Sequence, residues 1–443
     1  MSFNFLRSGY DYLKQWGVKR GTAAALMYFS RELEPSLDVR ELDVILRMSR
    51  QNSRNSRVQA PSKLYFPEFL HYDLGTEDLA KHKAVLRHWA RTTNRAISTI
   101  NWFFPDVGWV YGGGPYTILR FADYFSRQGV FNRFVIYNPG PHRKADDVHK
   151  FSNQIRQEFP ELRFSLERLG IDTIPKADLA VATTWQSAYF AARFNKVKGK
   201  YYFAQDFEPW YYPSGSRSSL AEFTYRLGMP TITFGKWLRT HLMSNYNCIN
   251  CQDFVPCADP GLFKPSLAKP RKRVEHVFFF GRPISERRAF EIGVLALEKI
   301  KKKHPEVIIS VAGWDLDLPV PFPCQPLGNL TVHDTARLYR NCDVGVVLAT
   351  TNLSLVPLEL MASGCAVLVN KTPTSDWLLK NGKNCISTDP LPSLLAERFD
   401  VLFSDYRLRQ RLYRNGLKTV RATTWAQECK RVYDFIVTGE FQR

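Results

Sequence analysis

Long apolar runs are missing from this chain. A membrane-crossing helix needs ~18 consecutive apolar residues, and the best segments here, such as Val277–Phe280 and Val344–Ala349, are strand-sized. An integral membrane helix is therefore not expected. The stretch Gly21–Tyr28 follows Arg7, Lys14, Lys19 and Arg20 as a signal peptide might, but it is short and starts too far in, and reads as helix. Cysteine is absent from the first 247 residues; the eight present stand at 248, 251, 257, 324, 342, 365, 385 and 429. That distribution is unlike a secreted disulfide framework and suits a reducing cytoplasm. Cys248 and Cys251 are spaced like half a zinc site, with Cys257 and His241 nearby. No second pair completes four ligands, so unpaired thiols beside a buried strand are the simpler reading. Zinc-finger, RNA-recognition and coiled-coil basic-region patterns are lacking, as is any repeat of solenoid length, so nucleic acid is the weakest partner class.

What is present describes a folded, basic protein. With 443 residues the chain exceeds one core and suggests two large domains plus an appendage, with a cleft between them. Hydrophobic residues at 44% and charged residues at 23% leave little room for extended disorder. Lysine and arginine number 61 against 42 acids, a balance of +19 that attracts anions: phosphorylated substrates or an anionic membrane face.

Residues 1–95 read as a mostly helical extension. Phe3, Phe5, Leu6, Tyr10, Leu13 and Trp16 alternate with basic residues, a pattern suited to a membrane interface and equally to a helix packed on the protein's own core. Arginines without acids around 47–57 suggest an exposed linker. From Ile97 short β-rich runs alternate with amphipathic stretches, the pattern of a parallel sheet with crossover helices. Strands are expected at Ile97–Phe103, Phe134–Tyr137, Leu179–Ala182, Tyr201–Ala204 and Thr231–Phe234, and helices at Tyr116–Arg127, Val148–Glu158 and Trp185–Phe194. A second series has strands at Val277–Phe280, Val307–Ala312, Val344–Leu348 and Ala366–Val369, and helices at Arg288–Lys302, Val332–Arg340 and Pro357–Ser363. This divides the chain into an α/β domain over 96–256, another over 257–420, and a terminal helix over 421–443 with Trp425 as packing anchor. Two such domains in tandem point to a GT-B architecture, two Rossmann-like domains facing across a cleft. Ligands in open parallel sheets bind beyond the carboxyl ends of the strands.

Four segments stand at such ends. Thr351-Asn-Leu-Ser354-Leu355-Val-Pro-Leu-Glu359 runs from strand through loop into a helix, whose free N–H groups favour a phosphate while Glu359 accepts from ribose hydroxyls. Phe280-Gly281-Arg282 leads from a strand to Arg287 and Arg288, guanidiniums suited to bidentate contact with a diphosphate. Gly112, Gly113 and Gly114 precede an amphipathic helix and let backbone approach a ligand, without the spacing of a dinucleotide fingerprint. Gln205-Asp206-Phe-Glu208-Pro-Trp210-Tyr211 joins two acids to aromatic surfaces, as carbohydrate binding and proton transfer require; acids capping the next turn are the plainer alternative.

These motifs resemble the family 4 retaining glycosyltransferases, in which two acids stand eight apart before a small-residue-Gly turn. Here Glu359 is the second acid and Thr351 replaces the first, which leaves the grip on the sugar ring open. The Gln205–Pro209 run, with Gly235-Lys236-Trp237, resembles the dTDP-rhamnose-dependent rhamnosyltransferases of bacterial surface-layer glycan assembly. The likeness covers roughly residues 97–435. It implies transfer with retention and no metal or other cofactor. The cysteine distribution suits a cytoplasmic enzyme, and the aromatic, basic start with the +19 balance suggests one peripheral at the inner face of the cell membrane. By resemblance Gly113, Gly114, Arg282, Arg287, Arg288, Leu330, Ser354, Leu355 and Glu359 bind the donor. Gln205, Trp210, Tyr211 and Lys236 bind a glycan or lipid-linked saccharide acceptor, and Asp206, Glu208 and Arg282 are catalytic. An NDP-sugar 2-epimerase of the same fold, and a non-catalytic basic binding module, stay open as alternatives.

Overall fold

The computed structural model describes residues 69, 71–93, 95–105, 109–136, 145–168, 173–313, 320–352 and 354–440. The aromatic and basic segment at the start, the arginine-rich stretch at 47–57 and Trp314 lie outside the described residues. The chain divides into two compact units at Leu70/His71, and the second of them, His71–Arg443, carries both sheets.

Its first sheet contains β1 (Thr99–Phe104), β2 (Phe131–Ile136), β3 (Phe164–Glu167), β4 (Ala177–Ala182), β5 (Val197–Ala204), β6 (Thr231–Phe234) and β7 (Cys251–Phe254), in spatial order 3-2-1-4-5-6-7. Every pairing is parallel. The second sheet contains β8 (His276–Phe280), β9 (Ile308–Ala312), β10 (Gln325–Gly328), β11 (Val344–Val347), β12 (Ala366–Asn370) and β13 (Ile386–Thr388), in order 10-9-8-11-12-13, again all parallel. Helices cover both faces of such sheets, so central strands read as continuous apolar runs: Thr-Ile-Asn-Trp-Phe-Phe in β1 is buried from Ile100 onward.

The helices are α1 (Thr76–Arg91), α2 (Gly113–Arg127), α3 (Ala145–Glu158), α4 (Trp185–Arg193), α5 (Ser216–Thr224), α6 (Gly235–Tyr246), α7 (Phe290–Lys303), α8 (Val332–Asn341), α9 (Val356–Ala362), α10 (Pro392–Ser404), α11 (Tyr406–Val420) and α12 (Trp425–Thr438). Helix α1 packs on β5, where the ring of Trp89 lies so close over Gly199 that a Cβ there would stand 2.5 Å from it. The indole donates to the Tyr201 hydroxyl at 3.0 Å. Helix α12 packs on α2 and β7, with Trp425 against Phe121 and Phe254. One apolar cluster runs from Trp102 and Phe203 through Phe254 and Phe263 to Phe278 and Val367, so the two sheets share a continuous core.

Strand order reverses between β1 and β4 in one sheet and between β8 and β11 in the other. At such a switch point adjacent crossovers leave to opposite faces and open a crevice. The glycine segment follows β1, and the loops carrying Arg282 and Ser354 follow β8 and β11.

Candidate functional site

The loop after β8 carries three guanidiniums, on Arg282, Arg287 and Arg288, with different surroundings. After β8 the chain turns at Gly281, into whose Cβ position Val311 and Phe290 intrude at 2.6 and 3.2 Å, so only glycine fits where the strand ends. Arg282 comes next. Among the described residues it has no carboxylate within ion-pair distance, and its Nε is buried without a hydrogen-bond acceptor. Burial, then the charge of Arg287, lowers its pKa. The Nε of Arg287 is likewise buried and unbonded; it stands 3.9 Å from Asp206 Oδ2, and the guanidinium lies 4.1 Å over the ring of Tyr211. Arg288 differs from the expectation that it faces the diphosphate. Its guanidinium donates to the backbone oxygen and side-chain oxygen of Asn352, both at 3.2 Å, and burial lowers its pKa to about 10. It braces the neighbouring loop.

That bracing brings the loops after β8 and β11 together, helped by the bond from Thr350 N to Arg287 O at 2.9 Å. Ser354 then takes φ +59°, a left-handed conformation uncommon outside glycine, and its Oγ is buried without a partner. A buried hydroxyl or N–H costs about 1–3 kcal/mol when unsatisfied, and three such atoms, Arg282 Nε, Arg287 Nε and Ser354 Oγ, stand in the loops after β8 and β11. Leu355 and Leu330, both half-buried, pack against the core from the ends of their loops. Glu359 projects from α9 with no hydrogen bond to its carboxylate among the described residues; burial raises its pKa to about 7, against the pull of Arg120. Glu359 is free to accept from a ligand hydroxyl.

Across the crevice Gly112 caps α2, and helix begins at Gly113, earlier than the expected Tyr116. A Cβ on Gly113 would meet nothing within 4 Å, whereas one on Gly114 would lie 3.5 Å from the amide of Gln205. The glycine segment and the Gln205 loop therefore converge.

Asp206 follows β5 of the first sheet, and its hydrogen bonds reach groups of the second. Only 2% exposed, its Oδ2 accepts from Thr351 Oγ1 at 2.7 Å and its Oδ1 from Phe207 N at 2.8 Å. Asn352 Nδ2 donates to Gln205 O at 2.8 Å alongside. Burial raises the Asp206 pKa, opposed by Thr351, Arg287 and Arg288. Thr351, at the position of the first acid in the resembling motif, is thus the hydroxyl that orients Asp206.

Glu208 takes the plainer of its two possible roles. Its Oε2 accepts from Trp185 N at 2.7 Å at the start of α4, and its Oε1 from the Tyr202 hydroxyl at 3.2 Å. Burial raises its pKa to about 8. Each oxygen accepts one bond within the protein, and these bonds tie the loop after β5 to the start of α4. Trp210 is 47% exposed and leans on Trp237 at 5.4 Å.

A narrow crevice between the sheets is lined by Gln205, Asp206, Phe207, Phe234, Trp237, Leu238, Asn352, Thr374 and Trp377. Lys236 is exposed and does not line it. Asn352 lies within the Thr351–Glu359 motif without an assigned role, and Thr374 and Trp377 are missed by the motifs in the sequence. Thr374 and Trp377 follow β12, so the rule of searching beyond each strand end reaches them. The eight cysteines are unpaired, and no group of three or more metal-ligating side chains occurs among the described residues. Nor is any described helix long and apolar enough to cross a membrane.

Residues 275–400 match the family described as WsaF, C-terminal domain. The O-antigen biosynthesis protein RfbC of Myxococcus xanthus is 36% identical over 342 residues, 76% of this chain and 27% of that protein. The chain thus spans about a quarter of the length of this relative. Among solved structures, Anabaena Alr3699/HepE in complex with UDP-glucose has a TM-score of 0.62 at 15% identity, covering 76% of this chain and 99% of that one. WaaG, a glycosyltransferase involved in lipopolysaccharide biosynthesis, has a TM-score of 0.53 at 14% identity, covering 77% of this chain and all of that one. Together with the two switch-point sheets, these likenesses show that the chain has the GT-B fold.

Proposed function

We propose that this protein is a glycosyltransferase that binds a nucleotide sugar at the second sheet and transfers the sugar to a saccharide acceptor. The observation that carries the reading is the set of buried, unbonded atoms at one switch point: Arg282 Nε, Arg287 Nε and Ser354 Oγ. A diphosphate satisfies all three, and Glu359 suits the ribose hydroxyls. In the reaction Arg282 and Arg287 stabilise the negative charge that grows on the departing diphosphate. Asp206, held by Thr351, accepts the proton of the attacking hydroxyl. Its burial keeps the carboxylate weakly solvated and raises its basicity. The names of RfbC and WaaG, in O-antigen and lipopolysaccharide biosynthesis, support a role in surface polysaccharide assembly. The motif resemblance adds dTDP-rhamnose as donor, retention of configuration and a chemistry without metal. A basic balance of +19 supports loose contact with the anionic inner membrane face.

A thermal-shift panel of dTDP, UDP, GDP and their sugars tests this reading. A ligand at one hundred times its dissociation constant stabilises by about 2.7 kcal/mol, and the dTDP series is expected to give the largest rise. If no nucleotide in the panel raises the melting temperature, the donor assignment is wrong.

A further inference from the structure

Exposed helix faces of this protein carry their charges in two ways. Along α1, α7 and α12 lysines stand one turn from an acid that answers them: Lys81 with Glu77 at 2.6 Å, Lys302 with Glu298 at 2.7 Å and Lys430 with Asp434 at 2.6 Å. Such pairs are the ordinary make-up of a solvated helix face. Helix α11 contains no acid at all. Arg407, Arg411, Arg414 and Lys418 follow one another in it at alternating steps of four and three residues, and Arg421 continues the row just past its end. At 3.6 residues per turn that spacing sets all five on one stripe about 21 Å long. All five are exposed, and among the described residues none has an ion-pair partner. Leu408, Arg409, Leu412 and Gly416 form the buried face. Asp405, just before the helix, is turned to its backbone and accepts from Leu408 N at 2.8 Å. Like charges one turn apart repel, and Arg407 in the first turn also opposes the helix dipole. The row works against the helix that carries it.

A loop runs beside this helix. The Cβ position at Gly364 lies 2.9 Å from Tyr413 and 3.0 Å from Pro265, the Tyr406 hydroxyl donates to Pro270 O at 3.4 Å, and Arg409 Nη2 donates to Lys272 O at 2.6 Å. The segment is thereby laid along α11. It carries Lys264, Lys272 and Arg273, all exposed, and between them Leu267, whose exposure of 107% leaves the side chain wholly in solvent. Lys383 adds another exposed cation, its backbone oxygen accepting from Asn415 Nδ2 at 2.8 Å. A dissolved polyanion offers phosphates to the guanidiniums and nothing to the leucine. A bilayer of anionic lipids offers both, headgroup phosphates for the cations and an apolar layer beneath them for Leu267.

We propose that the exposed face of α11, together with the Leu267 loop, is the surface by which this protein lies on an anionic lipid bilayer. The proposal rests on the membrane-contact reading and gives that contact a place in the second domain rather than in the Phe3–Trp16 segment. The guanidiniums take headgroup phosphates through paired N–H groups. Arg282, Arg287, Ser354, Glu359 and Asp206 are not part of this surface, so lipid binding and nucleotide affinity are separable.

Flotation of the full chain with vesicles of phosphatidylcholine, and of an equal mixture of phosphatidylcholine and phosphatidylglycerol, tests it. Wild type should float with the mixed vesicles only and be released by raised salt. A basic side chain near such a surface contributes about fivefold, so Arg407→Gln, Arg411→Gln and Arg414→Gln combined should weaken binding about a hundredfold. Leu267→Ser should weaken it about tenfold. Both should leave nucleoside diphosphate affinity within a few fold. If the triple variant does not fold by circular dichroism, Lys418→Gln with Arg421→Gln carries the test, with an expected loss of about twentyfold. Flotation that the neutralised variants retain in full overturns this surface while the membrane contact stands. No flotation of the wild type with anionic vesicles overturns both. Loss in the triple variant with none in Leu267→Ser, or tighter capture of inorganic polyphosphate than of vesicles, assigns the row to a dissolved polyanion and overturns the bilayer.

Discussion

The carboxyl ends of the two sheets treat their polar side chains in opposite ways. Beyond the first sheet the carboxylates are already answered: Glu208 by Trp185 N–H and the Tyr202 hydroxyl, Asp206 by Thr351 and Phe207 N–H. Beyond the second sheet Arg282 Nε, Arg287 Nε and Ser354 Oγ are buried and unbonded, and the Glu359 carboxylate accepts nothing among the described residues. Since a buried polar group is normally paired, the carboxylates of the first end are fixed in place, while the second end keeps polar atoms that the described residues do not answer. Asp206 belongs to the first sheet and is positioned by the second.

Asp206→Asn attacks that shared point and should have the largest effect. It keeps size and hydrogen bonding but removes the proton acceptor, so transfer should fall about a hundredfold or more. Donor affinity, measured by calorimetry on the same protein, should stay within a few fold. Full transfer activity would show that the carboxylate only ties the sheets together.

Arg282→Ala and Arg288→Ala sharpen the contrast between unanswered and answered groups. Losing an unpaired guanidinium from the diphosphate should weaken nucleotide binding by about 10- to 100-fold, as a charge-assisted hydrogen bond is worth roughly 1.5–3 kcal/mol. Arg288→Ala instead strips two bonds from Asn352. It should appear first as a lower melting temperature. If the two variants exchange phenotypes, the distinction drawn from their hydrogen bonds fails.

The smallest effect is a pH dependence at Glu359. Burial holds its pKa at about 7, above the ordinary carboxylate value. A ribose hydroxyl donates to the charged form, so binding requires the proton to leave. Nucleotide affinity should therefore rise as pH climbs toward and just past 7 and then level off, by at most about tenfold per pH unit for one proton. In Glu359→Gln the profile should be flat across that window. A wild-type affinity already flat between pH 6 and 8 would place the ribose elsewhere.

Much of the fold is legible along the chain because buried parallel strands write themselves as apolar runs. Thr231–Phe234 matches its expected bounds, and β5, β8, β11 and β12 differ from theirs by a few residues at the ends. The strands that the pattern does not reveal include β3 and β13, at sheet edges, where Phe164–Glu167 is only half-buried and Ile386–Thr388 is three residues long. An edge strand needs less apolar surface and leaves a weaker pattern. Helices α5, α6, α10 and α11 also escape it, and α6 buries only a narrow face.

For the site, the sequence by itself determined which residue types stand just past which strands: guanidiniums after β8, Ser354 and Glu359 after β11, Gln205 and Asp206 after β5. That follows from local rules, since strand ends and turn glycines are encoded within a few neighbouring residues. Only the tertiary structure decided how those groups divide their work. Arg282 and Arg288 are six residues apart and chemically alike, yet one is left unbonded and the other is consumed by Asn352. Asp206 and Glu208 are two apart, yet one faces Thr351, 145 residues away, and the other closes the start of α4. Trp377 reaches Gly235 from the other sheet. The physical reason is that a polar group's role is set by which partners satisfy it in the low-dielectric interior. Those partners arrive from distant segments that no local pattern brings together.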